Sequence, residues 1–113
     1  MKSILIVDDE FEITDILRWL FEWNDFKVYT AANGKEALTI LADQQVDILI
    51  IDVMMPIMDG IELARRVKSD EATRSIPIVM MSAAPVEPAQ QYADYSFQKP
   101  FLFQDLLAQV KAL

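Results

Sequence analysis

Short aliphatic runs alternate along the whole chain with longer stretches in which apolar residues recur every three or four positions. The runs predict strands near Ser3–Val7, Phe26–Thr30, Val46–Ile51, Ile76–Met81 and Tyr95–Gln98. The longer stretches predict helices near Phe11–Trp23, Gly34–Asp43, Gly60–Lys68 and Leu102–Ala112, with a short, proline-bearing one near Pro88–Asp94. Such alternation predicts an α/β domain around a parallel sheet. The runs "VDILIID" and "IPIVMM" are apolar almost throughout, as strands covered on both faces should be. In the first helix, Ile13, Ile16, Leu17 and Leu20 share one stripe expected to face the sheet, which turns Phe11, Thr14 and Arg18 outward. The last helix repeats the pattern with Phe103, Leu106, Leu107, Val110 and Leu113. It ends almost with the chain, which reads as a single domain over residues 1–113.

Strands of a parallel sheet all finish on one side, and ligands bind beyond those ends where the strand order reverses. Asp8 and Asp9 follow the first strand, Asp52 the third, Ser82 the fourth and Lys99 the fifth. Residues distant in sequence therefore meet at one edge as three acids, a hydroxyl and an amine. Two carboxylates about 4 Å apart repel by about 1 kcal/mol in water and about 4 kcal/mol at an effective dielectric near 20, so a bound proton or a cation is expected among them. Oxygen ligands alone suit a hard ion, Mg²⁺ above all. Such an ion beside a lysine can neutralise charge on a transferring phosphoryl group. Asp52, ending the central strand, is the candidate nucleophile; Lys99 and the Ser82 hydroxyl are candidate donors to phosphoryl oxygens.

Charge and composition narrow the chemistry further. The 113 residues are 53% hydrophobic and 25% charged, an ordinary globular profile, and the net charge of −8 repels nucleic acid. Histidine is absent, so carboxylates must do any work on metal or phosphate. Cysteine is absent too, and neither a membrane span nor a secretory signal is recognisable, which makes a cytoplasmic setting the expectation.

"ILIVDDE", "IIDVMMPIMDG", "IVMMSA" and "QKPF", in this order and over nearly the whole chain, resemble the CheY-like receiver domains of two-component response regulators. The resemblance implies a flavodoxin-like (βα)5 fold with strand order 2-1-3-4-5, the fourth helix being short or irregular here. It implies a histidine kinase or histidine phosphotransfer protein as phosphoryl donor, and Asp52 as acceptor. It further implies Asp9 as a direct Mg²⁺ ligand, Asp8 as a ligand through water, Met54 as a ligand through its carbonyl, Ser82 as the switch hydroxyl and Lys99 as the phosphate-binding lysine, with a cis bond to Pro100. Signalling would pass by protein contacts to a downstream protein, from a monomer or weak dimer without an output domain in this chain.

Several positions depart from that pattern. Met54 and Ala84 stand where the family often has polar side chains that help water attack, so slow self-dephosphorylation is expected. Ser82 to Lys99 is shorter than usual by roughly a helical turn, which predicts a reduced segment over Val86–Ser96, and Ser96 replaces the usual switch aromatic unless Tyr95 or Phe97 substitutes. Taken one at a time, Asp8 or Asp9 reads as a strand-end turn or a helix cap, Lys99 as a solvated surface residue, Ser82 as a turn residue and Met54, Met55 and Met58 as packing material. Gly60 reads as a tight turn into the third helix, and Phe11 either as a contact for a kinase helix bundle or as an ordinary exposed apolar residue. Two other functions fit parts of the pattern. One is a receiver-like interaction module that signals without phosphate. The other is an aspartate-nucleophile phosphatase, against which Glu10 occupies the place of the acid–base aspartate.

Overall fold

The computed structural model describes residues 1–83 and 92–113. Among these residues nine elements follow one another: β1 (Ser3–Val7), α1 (Phe11–Trp23), β2 (Lys27–Ala31), α2 (Gly34–Asp43), β3 (Ile48–Asp52), α3 (Gly60–Ser69), β4 (Ile78–Ser82), β5 (Tyr95–Gln98) and α4 (Phe103–Lys111). The short helix expected near Pro88–Asp94 falls mostly on residues outside those described; Tyr92, Ala93 and Asp94 are not helical. The strands form one parallel sheet in the order β2-β1-β3-β4-β5, the flavodoxin-like arrangement.

Side chains alternate along each strand, so the two faces of the sheet build two cores. Leu5, Val7, Leu49, Ile51, Ile78 and Met80 meet Ala37 of α2 and Leu63, Ala64 and Val67 of α3. Ile4, Ile6, Ile48, Ile50, Val79 and Met81 meet Leu17 and Phe21 of α1 and Leu106 and Val110 of α4. Phe21 is the hinge of this second core, edge-on to Phe26 and to Phe103 at centroid distances of 5.7 and 5.0 Å.

The inward stripe of α1 differs from the expected one. Thr14, Leu17 and Phe21 are buried, Ile13 and Leu20 are half-buried, and Ile16 is exposed. Apolar residues cover a wider arc of this helix than the sheet can reach, and Phe21 and Leu17, one turn apart, take the buried centre. Phe11 and Arg18 do face outward, whereas Thr14 is buried with its hydroxyl donating to the Phe11 carbonyl at 2.9 Å.

Strand ends moved by a residue or two in ways that matter. Asp52 and Ser82 are the last paired residues of β3 and β4, opposite Met81 and Gln98 respectively. Ile76 lies before β4 because Pro77 has no N–H to offer a ladder; its carbonyl instead accepts from Leu49 N. In β5, Phe97 joins the core beneath α1 and α4 and rests against Phe101, so Ser96 points to the other face and no shift of register brings an aromatic there.

Candidate functional site

The carboxyl ends of β1 and β3 flank the point where strand order reverses, and the three acids meet there. One carboxylate oxygen each from Asp8, Asp9 and Asp52 lies within 4.8 Å of the others. Asp8 and Asp52 are buried and Asp9 is exposed, which leaves the cluster open on one side.

Neither Asp8 nor Asp9 caps α1. The cap position belongs to Glu10, whose side chain makes no capping hydrogen bond, while Asp8 Oδ1 accepts from Glu10 N at 3.0 Å in a turn at the strand end. The other two helices nearest the site show the contrast: Asn33 and Asp59 cap α2 and α3 by accepting from Glu36 N at 2.9 Å and Glu62 N at 2.8 Å. The acids after β1 are therefore free for the pocket.

Lys99 enters from the end of β5, where its own N–H donates to the Ser82 carbonyl at 2.7 Å and the following bond to Pro100 is cis. Its Nζ stands 3.3 Å from Asp8 Oδ2 and 3.3 Å from Asp52 Oδ1, bridging the two buried acids. Burial pulls the lysine toward the neutral form, but the charges of Asp8 and Asp52 outweigh it and raise the Lys99 pKa. Asp52 responds in the opposite sense. Burial, and then repulsion from Asp8, lift its carboxyl from 3.8 to about 6, against the pull of Lys99. One lysine is too little cation for three acids, and a donor set of carboxylates without nitrogen or sulfur fits a hard divalent ion such as Mg²⁺.

Ser82 is buried at the end of β4, and Ala83 beyond it is exposed. Met54 lies two residues past Asp52 with its side chain 66% exposed, whereas Met55 and Met58 pack on the α2–α3 side of the sheet as expected. Ala84, and the bulk of the Val86–Ser96 segment, lie outside the described residues. Two features escaped the sequence pattern. An apolar groove of about 520 Å³ runs from Ile13, Ile16 and Leu20 on α1 to Phe101 and Phe103, and it reaches Ala83 and Lys99 at the site. The other is Ile57, held at φ 71° in the loop after Asp52, with Met58 N donating to the Pro56 carbonyl at 2.8 Å to close a γ-turn.

This constellation sits in a chain whose residues 4–111 match the response regulator receiver domain family, and the protein belongs to that family. Residues 4–111 are a receiver domain. The chain is 37% identical over 117 residues to the phosphate regulon transcriptional regulatory protein PhoB of Pseudomonas aeruginosa, an alignment covering 99% of this chain and 51% of that protein. It is 34% identical over 118 residues to the response regulator SaeR of Staphylococcus aureus, covering 100% and 50% respectively. The chain thus spans about half the length of these curated relatives. Among solved structures it resembles the Vibrio cholerae chemotaxis protein CheY4, with a TM-score of 0.91, 29% identity and coverage of 99% and 98%. The response regulator TrrA of Thermotoga maritima, solved in complex with Mg²⁺-BeF, gives a TM-score of 0.90 at 30% identity, with coverage of 99% and 98%. No helix among the described residues is long and apolar enough to cross a membrane.

Proposed function

We propose that residues 1–113 act as the phosphoacceptor receiver of a two-component relay, taking phosphoryl onto Asp52 from a histidine kinase or histidine phosphotransfer protein. The observation that carries this is the position of Lys99 Nζ, 3.3 Å from both Asp8 and Asp52 within a cluster of three acids. Asp8, Asp9 and Asp52, with the carbonyl of Met54, would hold Mg²⁺, which when bound supplies positive charge opposite the phosphoryl oxygens.

An Asp52 carboxylate oxygen attacks phosphorus; a P–O bond forms as the donor's P–N bond breaks, and the imidazole leaves with the bonding pair. With a pKa of about 6 the carboxyl is mostly ionised at neutral pH and so competent as a nucleophile. Lys99 then exchanges its bond to Asp52 for one to a phosphoryl oxygen, and the Ser82 hydroxyl donates to another. Met54 offers attacking water no hydrogen bond, so the acyl phosphate hydrolyses slowly; a half-life of seconds in Mg²⁺ buffer would refute this.

The donor protein docks along the groove on α1, because the groove ends at Ala83 and Lys99 and a side chain seated there stands beside the acceptor. Exposed Phe11 lines the opposite approach together with Asp8 and Asp9, and Phe11→Ala slows phosphorylation by the cognate donor. The primary test is the intact mass after incubation with a small-molecule phosphodonor, with and without Mg²⁺. A Mg²⁺-dependent phosphoryl adduct absent from Asp52→Asn supports the reading. Mg²⁺ binding without an adduct replaces it with a phosphate-independent interaction module.

A further inference from the structure

The chain has two glycines, and each opens a helix against the loop that follows Asp52, but they differ in what a side chain would strike. A Cβ on Gly34 would meet Met58, with Sδ at 2.7 Å, and a methionine side chain can swing away. A Cβ on Gly60 would collide with the carbonyl oxygen of Asp52 and lie 2.8 Å from both Val53 Cα and Ile51 Cγ2. Backbone at the end of a central strand cannot swing away.

The sequence suggested that Gly60 serves a tight turn. The structure corrects this: neither glycine has positive φ, so any residue could adopt the conformation and only the space is special. That space lets Gly60 N donate to the Val53 carbonyl at 2.9 Å, while Val53 N donates to the Met81 carbonyl at 2.9 Å. Asp59 ties the same helix start by accepting from Glu62 N. The peptide following Asp52 is thereby held between β4 and the first turn of α3.

We propose that Gly60 is a positioning residue for the acceptor: its missing side chain lets the N-terminus of α3 seat on the Asp52–Val53 backbone and fix where the Asp52 carboxylate stands. The inference rests on the phosphoacceptor reading for its consequence and on backbone contacts for its geometry.

The test compares Gly60→Ala with Gly34→Ala, which crowds a side chain instead of the acceptor strand. In metal-free protein, exchange of the Val53 amide accelerates by about tenfold or more in Gly60→Ala and stays within about twofold of wild type in Gly34→Ala. Mg²⁺ affinity measured by calorimetry falls by about tenfold in the first alone, the usual scale for a disturbed ligand support. The rate of adduct formation with acetyl phosphate at saturating Mg²⁺ falls by about tenfold or more, since small misplacements of reacting atoms are expensive. Equal effects in both variants, or a folded Gly60→Ala within about twofold of wild type in exchange and affinity, would overturn the proposal. If Gly60→Ala does not fold, Asp59→Ala and Asp59→Ser decide it: both remove the charge, but only serine keeps the cap. Weaker Mg²⁺ binding by Asp59→Ala than by Asp59→Ser supports the proposal, and equal binding refutes it. A wild-type chain that binds Mg²⁺ but takes no phosphoryl ends the phosphoacceptor reading, while the exchange and affinity measurements still decide the role of Gly60.

Discussion

Two loops flank the acidic pocket, and they are built in opposite ways. Residues 8–10 join β1 to α1 in three unstrained positions, and α1 starts without a side-chain cap. Residues 53–59 join β3 to α3 through a γ-turn strained at Ile57, and α3 starts capped, glycine-opened and seated on the Asp52–Val53 backbone. The first loop gives up local helix stability so that its carboxylates stay available. The second spends strain and packing to hold one carboxylate still. The pocket thereby sets a solvent-facing carboxylate, Asp9, beside a buried one, Asp52.

The largest effect expected from breaking this contrast comes from Asp52 itself. Asp52 has a folded-state pKa of about 6 against an ordinary 3.8, so the folded chain binds more protons than the unfolded one between those values, and stability falls as pH rises through them. Asp52→Asn removes that penalty. In metal-free buffer at pH 7.5 it stabilises the fold by about 1–3 kcal/mol, and the gain vanishes below about pH 4, as urea titrations at the two pH values will read. Added Mg²⁺ reverses the order, because only the wild type gains from full coordination.

Caps come next. Asp59→Ala lowers stability by about 1 kcal/mol, while Glu10→Ala on the uncapped α1 changes it by no more than a few tenths. Equal losses in thermal melts would erase the distinction between the two loops. Ile57 follows: Ile57→Gly relieves a β-branched residue at positive φ and, with the side chain 79% exposed, raises stability by about 0.5–1 kcal/mol. The smallest effect belongs to Glu62 on the surface of α3. Hydrogen bonds from Arg65 and Arg66 hold its carboxyl at about 2, below the ordinary 4.5. Its contribution is present above pH 4.5 and is lost as pH falls toward 2, so Glu62→Gln lowers the melting temperature slightly at pH 7 and not at pH 2.

Much of this was legible in the chain because period-2 and period-3.6 patterns report burial directly. β1 and β5 have the expected limits, and the edge where Asp8, Asp9, Asp52, Ser82 and Lys99 converge follows from parallel strands alone. Periodicity failed on α1, where an apolar arc too wide for one face left the choice between Ile16 and Phe21 to packing that only the folded sheet defines. It also misread Gly60, because a glycine kept for space looks the same in sequence as one kept for conformation. The groove beside Lys99 was invisible for a further reason: it joins α1 to the residues around Phe101, more than eighty positions away, and no local pattern encodes that meeting.

Trp19 and Trp23 are the chain's two tryptophans, stacked one turn apart on the outside of α1 with ring centroids 5.7 Å apart and 62% and 77% of their surface exposed. Neither lines the acidic pocket, so ultraviolet emission from this protein reports on the helix exterior and stays nearly silent when a cation enters among the acids. A protein laid along α1 would shift that emission to the blue and alter its intensity. The unlabelled chain would thus separate, in a single cuvette, the docking of a protein on α1 from the binding of a cation among the acids.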